Sequence, residues 1–251
     1  MLDQILLFIA SFIANTMSAF AGGGAGLVQF PVLILFGLPF TTALATHKIA
    51  TVALGIGASY RHIREKNISD IPLLITLGVF GTIGSIAGTY IIVQIPDQTA
   101  QLILGIITIL LGLYSMFKKD IGQNFDPKNR DLKGYLVGGI ILLIIGIFKG
   151  SFSSGTGLFV TICLIQWFGL DYKRAIAYTF LMVGILWNGI AAMSLGLIGA
   201  SIQWDWLPVL LAGSLLGGYV GAHFANLKGN SWIKYAFTAV TLLSGISLLV
   251  T

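Results

Sequence analysis

Two glycine-rich stretches interrupt long apolar runs: Ala21-Gly22-Gly23-Gly24-Ala25-Gly26-Leu27 and Lys149-Gly150-Ser151-Phe152-Ser153-Ser154-Gly155-Thr156-Gly157-Leu158. They occupy matching places in the two halves of the chain. A lipid-facing backbone cannot leave N–H and C=O groups unpaired, so such a break must be buried in protein or line a cavity. Paired breaks in corresponding halves point to the binding site of a membrane transporter.

The rest of the composition agrees with a membrane setting. Hydrophobic residues make up 56% of the 251 and charged residues 9%, against about 25% charged in soluble domains. Apolar segments cover 4–20, 27–37, 43–60, 71–93, 99–117, 134–149, 157–168, 175–197, 206–225 and 231–250. The 32 glycines are roughly twice the usual share of ~7%. They predict close helix packing at Gly84-x-x-x-Gly88 and Gly217-x-x-x-Gly221. The net charge of +5 sits in short loops, where it sets topology and argues against a nucleic-acid partner. Cys163, the one cysteine, excludes an intramolecular disulfide and reads as a packed hydrophobe. The N-terminus shows no basic n-region or small-residue cleavage site, so no cleaved signal peptide is expected.

The hydrophilic stretch 118–133 divides the chain nearly in half, and the halves resemble each other. Gly24-Ala25-Gly26-Leu27 aligns with Gly155-Thr156-Gly157-Leu158, and Phe36-Gly37-Leu38 with Phe168-Gly169-Leu170. Ala43-Leu44-Ala45-Thr46 aligns with Ala175-Ile176-Ala177-Tyr178, and Gly84 and Gly88 fall opposite Gly217 and Gly221. The ordered matches predict an internal repeat, 1–117 and 134–251, joined by a cytoplasmic linker.

Charge placement orients it. Arg61, Arg64, Lys66 and the basic linker read as cytoplasmic, as do Lys173, Arg174, Lys228 and Lys234. The stretches 94–98 and 198–205 hold no basic residue and read as external. Corresponding loops thus fall on opposite sides. Segments 27–37 and 157–168, at roughly 17 Å of helix, are too short for a ~30 Å hydrocarbon core. The expected fold is an all-α polytopic membrane protein with two inverted-topology repeats. Each has a broken, re-entrant helical hairpin followed by three transmembrane helices, and both termini are external. Parallel repeats of four kinked spans are the competing arrangement.

The glycine cluster, Phe36-Gly37-Leu38-Pro39 and Ala43-x-Ala45-Thr46-x-Lys48, with a weaker second copy, resemble the sulfite exporter TauE/SafE family of permeases over essentially the whole chain. The resemblance implies a bacterial plasma-membrane permease for sulfite, organosulfonates or related sulfur-containing or carboxylate anions. Two departures stand out. His47 occupies the place where the family commonly has asparagine, and Ser154-Gly155-Thr156-Gly157 replaces a run of glycines.

The candidate substrate-binding residues are Gly23, Gly24, Ala25, Gly26, Thr46, His47, Lys48, Lys149, Ser153, Ser154, Gly155, Thr156 and Gly157. Helix starts at Gly26 and Gly157 would present N–H groups and a positive dipole end to an anion. Ser153, Ser154 and Thr156 add hydroxyls. A buried lysine facing a polar cavity supplies a counter-charge, whereas one at a helix end can snorkel to the interface. Lys149, directly before the second break, lies too deep to snorkel easily. His47 can relay a proton or serve as a neutral hydrogen-bonded group, and Asn188 can bond between helices or line the cavity.

All nine acidic residues fall at segment ends or in loops, so no intramembrane carboxylate carries protons. An inside-negative potential favours anion export by about 2.3 kcal/mol per charge per 100 mV, so export needs no coupling, whereas concentrative uptake would use H+ or Na+. No H-E-x-x-H, G-x-S-x-G or aspartate-pair pattern occurs, so neither an enzyme nor a metal or cofactor is expected. An anion channel using the same breaks is the alternative function.

Overall fold

Runs of Leu, Ile, Ala and Gly in lipid must satisfy their backbone internally, which a helix does along its own length. Proline falls where its missing N–H is harmless. Pro31, Pro72 and Pro208 sit in first helical turns and Pro39 precedes a helix. The computed structural model describes residues 2–92, 97–117, 121–151 and 155–250; among them it is helical, with no strand.

The first half runs α1 (Leu2–Ala21), a 3-10 turn (Ala25–Leu27), α2 (Gln29–Leu35), α3 (Phe40–Arg64), α4 (71–92) and α5 (Asp97–Phe117). The second runs α6 (Leu132–Ser151), α7 (Thr156–Gln166), α8 (Tyr172–Leu197), α9 (Leu207–Lys228) and α10 (Asn230–Val250). Among the described residues, α1, α4, α6, α8 and the α9 segment are long and apolar enough to cross a membrane. With 7 and 11 residues, α2 and α7 are not.

Small residues decide which helices touch. Along α9, Gly213 faces Phe8 and Ser11, Gly217 faces Phe12 and Thr16, and Gly221 faces Thr16 and Ala19 of α1. The matching order means the two helices run in the same direction. On α4, Gly84 faces Leu143 and Ile147, and Gly88 faces Ile147 and Ser151 of α6, again in parallel. A side chain at any of Gly84, Gly88, Gly217 or Gly221 would strike a backbone carbonyl of the partner helix. Both predicted small-residue pairs are therefore helix contacts, and each joins one half of the chain to the other.

The corresponding helices of the two halves cross antiparallel. Gly55 of α3 lies against Gly184 of α8, and Val52 against Gly189. In the outer pair, Gly112 of α5 meets Leu242 of α10, while Ser115 and Thr238 share a 2.9 Å hydroxyl bond. Cys163 is buried in the core, as its surroundings in sequence suggest.

The helix ends sort into two unlike faces. The linker, 61–70, the α7–α8 turn and the α9–α10 turn converge on one. Arg130 pairs with Asp70 at 2.6 Å and donates to the Phe168 carbonyl at 3.0 Å. Asp126 and Lys128 donate backbone N–H groups to Gly169 and Phe168, Asn129 binds the Trp167 carbonyl, and Asn230 binds that of Gln123. On the opposite face, Gln203 donates its backbone N–H to Thr46 at 3.0 Å, and Phe36 packs edge-on against Trp206.

Candidate functional site

The two breaks meet inside the bundle. Gly22, Gly23 and Gly24 have φ of 88°, 151° and 101°, and the N–H groups of Gly22 and Gly23 both turn back to the Ser18 carbonyl at 2.9 Å. Only glycine adopts such a run without strain, so α1 ends here and its chain direction changes. In the second half, Gly155 (φ 70°) opens α7. A Cβ on Gly23 would sit 2.9 Å from the Leu158 nitrogen and 3.0 Å from the Gly157 carbonyl carbon, so the backbones touch. Thr161 of α7 holds the junction by donating its hydroxyl to the Gly22 carbonyl at 2.9 Å.

A small cleft lies at this junction. It is lined by Gly23, Gly24, Ala25, Gly26 and Gly157 from the breaks, by His47 and Thr51 of α3, and by Lys149. Thr179, Gly184 and Asn188 of α8 complete the wall. Water-sized molecules can place their centres over about 30 Å³ of it. His47 is fully buried and Lys149 is 5% exposed. The cleft thus combines a buried cation, backbone at the start of α7 and a few neutral polar groups.

The remaining sequence candidates have other surroundings. Lys48 is fully buried and its ammonium donates to the Lys149 carbonyl at 2.9 Å, at the C-terminal end of α6. A cation there complements the negative end of the helix dipole, so Lys48 stands behind the cleft and braces the residue that lines it. Thr46 accepts from Gln203, and Gly155 and Thr156 adjoin Gly157 outside the lining. Ser153 and Ser154 lie outside the described residues. Asn188, open to two readings from sequence, lines the cleft.

His47 is tied into a buried polar chain. Its Nδ1 meets Gln29 Oε1 at 2.8 Å; Gln29 Nε2 donates to Ser11 at 2.8 Å, and Ser11 donates to the Leu210 carbonyl at 2.9 Å. Asn15 and Ser214 complete the cluster. Sequence reasoning did not single out these residues. Their signal was polar groups one helical turn apart, Ser11, Asn15 and Ser18, inside an apolar helix.

The family model described as sulfite exporter TauE/SafE matches residues 7–248. The chain belongs to that family. A probable membrane transporter protein of Haemophilus influenzae is 32% identical over 231 residues, covering 91% of this chain and 88% of the relative. Probable membrane transporter protein YdhB of Bacillus subtilis is 28% identical over 98% of this chain and 100% of its own length. YfcA of Escherichia coli K12, described in the same words, is 26% identical over 97% of this chain and 88% of its own. No solved structure matches significantly. The protein is a multi-pass membrane transporter of the TauE/SafE family.

Within this TauE/SafE transporter, two hydrogen-bonded pairs beside the cleft share one sequence spacing. Gln29 and His47 lie 18 residues apart and are bonded at 2.8 Å; Thr161 and Thr179, also 18 apart, are bonded at 3.0 Å. The second pair sits 132 positions after the first, the offset that also relates Phe36 to Phe168.

Proposed function

We propose that this transporter carries a small anion, sulfite, an organosulfonate or a related sulfur-containing anion, by alternating access at the junction of the two breaks. The carrying observation is the buried Lys149 lining a cleft where Gly23 abuts Gly157 and Leu158. A lysine in the lining of a cleft within a membrane bundle supplies a positive charge that attracts an anion, and the eleven-residue α7 directs its positive dipole end toward the same junction.

The antiparallel crossings of α3 with α8 and of α5 with α10 support inverted repeats. The convergence of the basic loops on one face supports placing that face in the cytoplasm of a bacterium, with the protein in the inner membrane and both termini outside. The small, buried cleft favours a carrier over an open channel. His47 is available as a proton relay, and coupling to H+ or Na+ belongs to the same proposal.

Proteoliposomes loaded with sulfite test this directly. Saturable efflux that sulfonates inhibit, and that Lys149→Leu abolishes, is the expected result. Non-saturating current, or unchanged flux in the variant, would sink the proposal.

A further inference from the structure

The hydrogen-bond directions around His47 propagate from a fixed point. Ser11 has one hydroxyl proton and donates it to the Leu210 carbonyl, so Ser214 donates to Ser11. Both hydroxyl oxygens then act as acceptors for the Gln29 amide, at 2.8 and 3.3 Å, which sets Nε2 on that side. Gln29 Oε1 therefore faces His47 Nδ1, and the proton of that 2.8 Å bond must come from the imidazole. In the neutral ring the second nitrogen, Nε2, is left as a bare acceptor. It is buried, meets no donor among the described residues, and belongs to a residue lining the cleft.

Asn188, which also lines the cleft, presents the same chemistry. Its Nδ2 donates to the Gly184 carbonyl at 3.3 Å, which leaves Oδ1 buried without a donor among the described residues. Exchanging its O and N would set two oxygens against each other. The hydroxyl of Thr179 is engaged with Ala175 and Thr161, and that of Thr51 with the carbonyls of His47 and Lys48. The residues lining the cleft thus combine Lys149 and the start of α7 with two buried acceptors.

We infer that the ligand is a small anion that also carries a hydrogen-bond donor, with its charged group toward Lys149 and its donor on His47 Nε2 and Asn188 Oδ1. The inference rests on the anion reading above and narrows its substrate class: hydroxylated or aminated short sulfonates and carboxylates, or a singly protonated oxyanion, over fully deprotonated anions of similar size. A ligand without a donor would leave two buried acceptors unmatched, and such omissions are what polar sites discriminate against most strongly. Water resting on those acceptors would not change the preference, because the ligand that displaces it must replace its bonds.

The test uses the intact transporter in detergent and two matched pairs, methanesulfonate against hydroxymethanesulfonate and acetate against glycolate, at one pH and ionic strength. Calorimetric titration should show the hydroxylated member of each pair binding about tenfold tighter or more. Asn188→Leu and His47→Phe should shrink that ratio toward one. His47→Gln, which can supply an acceptor, should retain part of it. Equal binding within both pairs would overturn the donor inference while leaving the anion site standing, as would an unchanged ratio in both apolar variants. Absence of binding by all four probes would overturn both.

Discussion

Gln29–His47 and Thr161–Thr179 occupy equivalent places in the two halves, at nearly the same separation, yet they equip the cleft differently. The first pair joins a titratable ring to a buried chain running to Ser11, Ser214 and the Leu210 carbonyl. The second is two short hydroxyls whose partners are each other and nearby carbonyls. Matching spacing places a bonded pair in each half, and the side chains make the two pairs chemically unlike.

The lysines sharpen this comparison most, because neither has a lysine at its equivalent position in the other half. Lys149→Leu should lower anion affinity by about ten- to hundredfold, the order of a lost charge-assisted contact of about 1.5–3 kcal/mol, and leave the protein folded. Titration and melting in the same detergent check both. If the variant binds normally, the cleft's cation has been misassigned.

Lys48→Met should act in the opposite proportion. Without its bond to the Lys149 carbonyl the end of α6 loses about 1–3 kcal/mol, seen as a lower melting temperature. Affinity should fall less than in Lys149→Leu. An affinity loss equal to that of Lys149→Leu would place both ammonium groups on the ligand.

The two hydrogen-bonded pairs can then be compared directly. Gln29→Leu strands His47 Nδ1 in the interior and should cost about 1–3 kcal/mol. Thr161→Val, nearly isosteric, should cost about 1 kcal/mol, since Thr179 keeps its bond to the Ala175 carbonyl. Denaturation of both variants in parallel measures the gap; equal losses would remove the asymmetry between the pairs.

The smallest effect belongs to Lys128 on the linker face. Lys128→Ala breaks an exposed pair with Asp126 and should change stability by less than about 0.5 kcal/mol. Arg130→Ala removes a half-buried pair with Asp70 and the bond to Phe168, and should cost about 1–2 kcal/mol. Melting curves that rank these two in reverse would show that the linker does not clamp the α7–α8 turn.

Much of the fold was legible because its signals are local. A run of apolar residues declares a helix in lipid, and three successive glycines declare a break. Each of the ten apolar segments corresponds to one helical element, including the short α2 and α7. The site was legible where charge or glycine departs from an apolar background, as at Gly23, His47 and Lys149. It was opaque where a residue's role depends on what faces it: Gln29 and Ser11 are ordinary polar residues until α9 brings Ser214 and Leu210 against them.

Membrane residence, the helical class and the positions of both breaks follow from composition and from one backbone rule, that polar groups in lipid be satisfied nearby. Tertiary structure alone decided that α1 packs on α9 and α6 on α4, each break-bearing helix against the other half. It also turned Lys48 onto a helix end and brought His47 and Asn188, each with a buried acceptor, into the lining of one cleft. Such outcomes depend on contacts between residues more than a hundred positions apart, whose geometry exists only once the helices have packed.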